Sequence, residues 1–212
     1  MQTSRLVRVL AALVLVALTS CGRNSGNPYA AIKDPPLLQA RLHTVTVVTD
    51  GHGVAESLQV KGYVPIRFAS NYPVSNEVES KLWSVPLTAV ESAVHYKSQN
   101  ATDTGVRVLT MALAARTSRA DAGVEKAFFR NVLGSDVPQM PAGVEPTDKA
   151  RVQVWTFLIP DVLAANKSLR ENGVPVVFDP VAITTAYLGD HKVMAIRAPD
   201  GAIVELVQTA AE

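Results

Sequence analysis

The chain has 212 residues, 48% of them hydrophobic, with 20 Lys and Arg against 19 Asp and Glu. That length and apolar content suffice for one domain, or two small ones, with a sizeable core. A net charge of +1 excludes the basic footprint of a nucleic-acid-binding protein, and a single cysteine excludes an intrachain disulfide.

In chain order, the first segment reads as a targeting signal. Arg5 and Arg8 precede an unbroken apolar run from Val9 to Leu18. The run is too short to span a bilayer, which takes about 20 residues. A basic start, a short apolar stretch and small residues after it form the pattern of a secretory signal. Leu18, Thr19 and Ser20 directly before Cys21 resemble the lipobox of bacterial lipoproteins. That resemblance implies a signal peptide over 1–20 and acylation of Cys21, palmitate being one such chain, with the membrane as partner. Gly22 stands where an aspartate would argue for inner-membrane retention, so the resemblance favours the outer membrane, on its periplasmic face. An ordinary signal peptide ending near a cysteine is the plainer alternative. Residues 21–39, rich in Gly, Asn, Pro and Ala, read as a flexible tether with no core of its own.

From residue 40 to 212 the sequence reads as one pattern written twice. The first copy (40–118) opens with "HTVTVVTD", a strand in which His43, Val45 and Val47 share one face and Thr44, Thr46 and Val48 the other. Asp50 precedes a short amphipathic stretch with Val54 and Leu58 four apart, closed by Gly62. "ESAVHYKS" supplies a later strand, and "GVRVLTM" from Gly105 the last. A connector (119–150) holds a helix with Val124, Ala127, Phe128 and Val132 toward the core, then a Pro-rich loop.

The second copy (151–212) opens with "VWTFLIPD". Asp161 precedes a helix with Val162, Ala165 and Leu169 as its stripe, ended by Gly173. Asp50 to Gly62 and Asp161 to Gly173 both span 12 residues. "HKVMAIRA" and "GAIVELV" complete this copy. The first copy is longer by 15 residues, which fall most naturally in "SNYPVSNEVESKLWSVP". Each copy thus reads as strand, helix and about three strands.

Tandem βαβββ modules ending in "APDGAIVELVQ" resemble the vicinal oxygen chelate superfamily, which includes glyoxalase I, extradiol dioxygenases and the fosfomycin- and bleomycin-resistance proteins. The resemblance implies an α+β fold in which the paired modules curl an antiparallel sheet into a cup, within one chain or by exchange between two, as monomer or homodimer. It also implies a divalent metal (Zn, Mn, Ni or Fe) inside, held by the first and last strands of each module. His43 then stands at the ligand position of the first module, and Glu205 at that of the second. Glu205 is also the candidate catalytic residue, as ligand or proton shuttle. The repeat spacing puts Val154 and Leu109 at the two remaining positions, and neither can bind a metal.

A third ligand could come from Gln153, His95 or His191. Gln153 has the wrong strand parity, "VHYKS" does not assign a face to His95, and His191 reads as solvated after "LGD". His52, between two glycines, reads the same way. Trp83, Tyr96, Trp155, Phe157 and Tyr187 could line a cup or fill the core. Glu205 lies on a strand that is apolar on both faces, so it needs a metal, a His, Arg or Lys partner, or water.

Three readings follow: a metal-dependent lyase, isomerase or dioxygenase, a metal-free protein that sequesters a small molecule, and a non-catalytic envelope lipoprotein. The missing ligands weigh against the first, and the retained pair weighs against the third. The sequence is read as a small-molecule-binding cup, metal-dependent or not.

Overall fold

The computed structural model describes residues 27–37, 39–51, 53–70, 80, 92–99, 104–111, 121–144, 150–185 and 188–209. The signal segment, Cys21, His52, Trp83, Tyr187 and nearly all of "SNYPVSNEVESKLWSVP" lie outside them. Among the described residues, no helix is long and apolar enough to cross a membrane.

Module one comprises β1 (Arg41–Thr49), α1 (Gly53–Val60), β2 (Tyr63–Ser70), β3 (Ser92–Ser98) and β4 (Gly105–Thr110). The connector forms α2 (Ala122–Leu133). Module two follows as β5 (Ala150–Leu158), α3 (Val162–Glu171), β6 (Val176–Thr185), β7 (Gly189–Arg197) and β8 (Ile203–Thr209). The βαβββ repeat expected from the spacing is therefore present in both halves. Asp161 caps α3 by accepting from the backbone N–H of Leu163 and Ala164. Gly62 and Gly173 end the two equivalent helices at φ values of 83° and 71°, a conformation that side chains with a Cβ resist.

The eight strands form one sheet in the order β2-β3-β4-β1-β5-β8-β7-β6. The modules join within the chain through antiparallel β1 and β5. The sheet is mixed rather than antiparallel, because β1 pairs with β4, and β5 with β8, in parallel. Those parallel pairs follow from the module itself: the first and last strands run the same way once two hairpin connections separate β2, β3 and β4. The sheet is open, with β2 and β6 at its edges.

All three helices cover one face. Val45, Val47, Val106, Val108, Met194, Ile196, Val204 and Leu206 meet Leu58, Phe128, Phe129, Val132 and Leu169 there in one buried cluster. The connector helix is part of this core, and Phe129 packs edge-on against Trp155. Tyr96, Trp155 and Phe157 belong to the same cluster, so these aromatics fill the core and do not line the cup. The opposite face carries a smaller apolar cluster that includes Val48, Leu109, Val154, Ile203 and Val207.

From Asn27 onward the segment expected to be a flexible tether packs onto the core of the domain. Ile32 and Leu37 are buried, Tyr29 packs edge-on against Phe128, and Asn131 of α2 donates to the Tyr29 carbonyl. The apolar side chains scattered among its Pro and Gly residues suffice to seat it on α2.

Candidate functional site: a polar cluster on the open face

The central strands bring four polar positions into rows. Thr44 of β1 lies opposite Thr156 of β5, and Thr156 lies opposite Glu205 of β8. One row along, Arg107 of β4 is aligned with Thr46 of β1. Glu205 is only 5% exposed, and its neighbours along β8 are buried on both faces, as the apolar strand implied.

The carboxylate has partners. The Thr156 hydroxyl donates to Glu205 Oε2 at 2.6 Å, and Arg107 Nη2 stands 3.9 Å from the same oxygen. Arg107 also donates from Nε to Thr46 Oγ1 at 2.9 Å, which holds the guanidinium over β1. On a flat sheet β4 and β8, three strand spacings apart, would be separated by roughly 14 Å. The two long side chains span that gap by lying across β1 and β5. Sequence reasoning missed Arg107. Its signal was parity: Arg107 shares a face with Leu109, the repeat counterpart of Glu205.

His43 reaches the same face by an irregularity. Strict alternation would put it with Val45 and Val47, in the core under the helices. A bulge between Leu42 and Thr44 interrupts the pairing with β5. His43 Nδ1 instead lies 2.7 Å from Thr44 Oγ1, on the side where Thr44 lines a cavity with Glu205. A bulged strand can turn two successive side chains toward one side. Burial lowers the His43 pKa, with Arg41 and Arg107 adding to the shift and Glu205 opposing it.

His95 resolves onto the same face, beside Arg107 in the β3–β4 register. Burial, with Arg107 and Arg67 behind it, depresses its pKa from 6.5 to about 3, so its imidazole is neutral near pH 7. Gln153 is buried where β5 is bulged, between Val152 and Val154.

His191 is not solvated: it is 5% exposed and lines the small cavity with Glu205, Arg107, Thr44 and Thr156. Its Nδ1 lies 2.8 Å from the Gly189 carbonyl oxygen, which can only accept, so Nδ1 carries the proton. Nε2 is buried and, among the described residues, has no hydrogen-bond partner.

These residues do not fit the metal that the family resemblance implies. Leu109 and Val154, at two of the four ligand positions, pack together with Val48 and Ile203 in an apolar cluster. A guanidinium already faces the carboxylate that would be the third ligand. Among the described residues, no group of three or more His, Cys, Asp or Glu is placed to hold an ion.

No protein-family model matches the sequence, and no curated protein matches it either. Similar solved structures include methylmalonyl-CoA epimerase from Mycobacterium tuberculosis, with 14% identity over 82% of this chain and 91% of that one, at a TM-score of 0.47. A 4-hydroxymandelate synthase mutant from Streptomyces coelicolor is 10% identical over 82% of this chain and 50% of that one, at 0.49. The Mn(II)-bound glyoxalase from Novosphingobium aromaticivorans is 13% identical over 80% and 40%, at 0.43. The chain thus spans half of the synthase and less than half of that glyoxalase. At such identities and scores, these likenesses say nothing about activity. The strand order and the two parallel pairings define a paired βαβββ fold.

Proposed function

We propose that this is a lipid-anchored envelope protein whose glyoxalase-like domain binds a small molecule without a resident metal. The observation that carries this reading is the Arg107–Glu205 pair: the buried carboxylate is answered by a side-chain cation and the Thr156 hydroxyl. A buried charge so partnered has no need of a metal. Anchoring through Cys21, at the outer membrane on its periplasmic face, rests on the Leu18-Thr19-Ser20-Cys21 stretch. Polar groups converging in an otherwise apolar face are the usual make-up of a small-molecule site.

One observation favours a second reading. His43 stands close enough to Glu205 to sense its charge, on the face where a metal enzyme of this fold would use both. The two readings separate in one experiment. Residues 22–212 are purified beside His43→Ala and Glu205→Gln variants, and bound metal is measured before and after adding Zn, Mn, Ni or Fe. Substoichiometric metal throughout, with hits in a thermal-shift screen of small ligands, supports the binding protein. Near-stoichiometric metal that both variants lose supports the enzyme, and an empty ligand screen leaves a structural envelope role.

A further inference from the structure

We propose that the ligand of the cup is a small organic anion, received at the rim of module one by Arg41 and Lys97 beside His43. This deepens the small-molecule reading and rests on it. The cavity at Glu205 is about 20 Å³, room for one water. A ligand of several heavy atoms needs a few hundred Å³, so it binds above that floor. The four strands of module one carry Arg41, Arg67, Lys97 and Arg107, and no acid. The strands of module two carry both signs, with Asp179, Asp190 and Glu205 against Arg151, Lys192 and Arg197, so the fold does not require the imbalance.

Register puts all four module-one cations on the face of Glu205. Arg41 is aligned with Leu158, which packs in the open-face cluster. Arg67 is aligned with His95, and His95 with Arg107. Lys97 shares the parity of His95 and of Ala93, another member of that cluster. Glu205 answers Arg107. Arg41, Arg67 and Lys97 are exposed and, among the described residues, form no ion pair. Arg41, Lys97 and Arg107 come from three strands, yet all three act on the charge of His43, so they converge around one imidazole. Cations gathered on one face repel each other, and a bound anion offsets that repulsion. Leu158 and Leu188, both half-buried, offer alkyl surface on the same face. The ligand class is therefore an anion with a short apolar body.

Phenylacetate and phenylacetamide test this directly, because they share a ring and differ in charge. The full chain in non-ionic detergent, labelled with ¹⁵N-histidine, is titrated with each to about 10 mM, a range suited to so small a ligand. Phenylacetate is expected to shift the His43 ring resonances saturably and to bind on the order of tenfold more tightly than the amide. Lys97→Met and Arg41→Gln should each weaken phenylacetate about fivefold. Lys192→Met, which removes an exposed cation from the other face of the sheet, should leave it within about twofold. All three side chains are exposed, so the fold should survive each change. Equal binding of the two probes, no saturable shift at His43, or equal losses in Lys192→Met and Lys97→Met would overturn the anion site. Neutral hits in the ligand screen that ignore Arg41 and Lys97 would still leave the broader small-molecule reading standing.

Discussion

The last strands of the two modules, β4 and β8, are repeat partners that differ in where they place a charge. Counted from their opening glycines, β4 has Arg107 at the second position and Leu109 at the fourth. In β8, Ile203 stands at the second and Glu205 at the fourth. Leu109 and Ile203, the apolar members, pack in the same cluster on the open face. The charged members meet each other across β1 and β5. A two-residue offset between equivalent strands has thus turned two symmetric positions into one ion pair. The repeat supplies the scaffold, and its breakage supplies the chemistry.

Breaking the pair from one side should have the largest effect. Arg107→Leu leaves the Glu205 carboxylate buried beside Thr156 without its cation, and should lower stability by about 3 kcal/mol in urea unfolding. Making the strands alike is the sharper version. Arg107→Ile with Glu205→Leu copies each residue from the other module, and should restore stability to within about 1 kcal/mol of the natural chain. A double variant as unstable as Arg107→Leu would mean that the pair is not what couples β4 to β8. Glu205→Gln, which keeps an acceptor for Thr156, should cost only about 1–2 kcal/mol by the same measurement.

Acid should expose the two neutral histidines. The folded-state pKa values of His95 and His43 lie below the unfolded value of 6.5, so the unfolded chain binds these protons first. Neither group alters stability well above that pH. Both remove stability as pH falls from 6.5, and His95 continues to do so down to about 3. Urea midpoints should therefore drop between about pH 7 and 5, and drop less in His95→Asn, which cannot take up the proton. The smallest expected effect is that of Thr156→Val, about 1 kcal/mol, from loss of one hydroxyl to the carboxylate.

Much of the fold was legible because it repeats. Equal spacing from Asp50 to Gly62 and from Asp161 to Gly173 located both helices and their ends, and alternation in "GAIVELV" set Glu205 on the face opposite Val204 and Leu206. The same alternation could have assigned Trp155 and Phe157 to the core. It misplaced His43, since a bulge resets parity locally and leaves no mark in composition. It could not show Arg107 meeting Glu205, because that contact depends on the strand order that sets β4 and β8 three strands apart. His191 looked like a turn residue, and its burial comes from packing between β6 and β8, which no local pattern encodes.

The segment seated on α2 also sets how the molecule would stand on a surface. Asn27 is fastened to the carbonyl of Gly123, at the start of the connector helix. With Cys21 acylated as proposed, six residues separate the lipid from that fixed point, a reach of roughly 20 Å even when fully drawn out. Such a link would keep the start of the connector helix near the bilayer. The sheet's other face, with Glu205, would then be left open to whatever diffuses past.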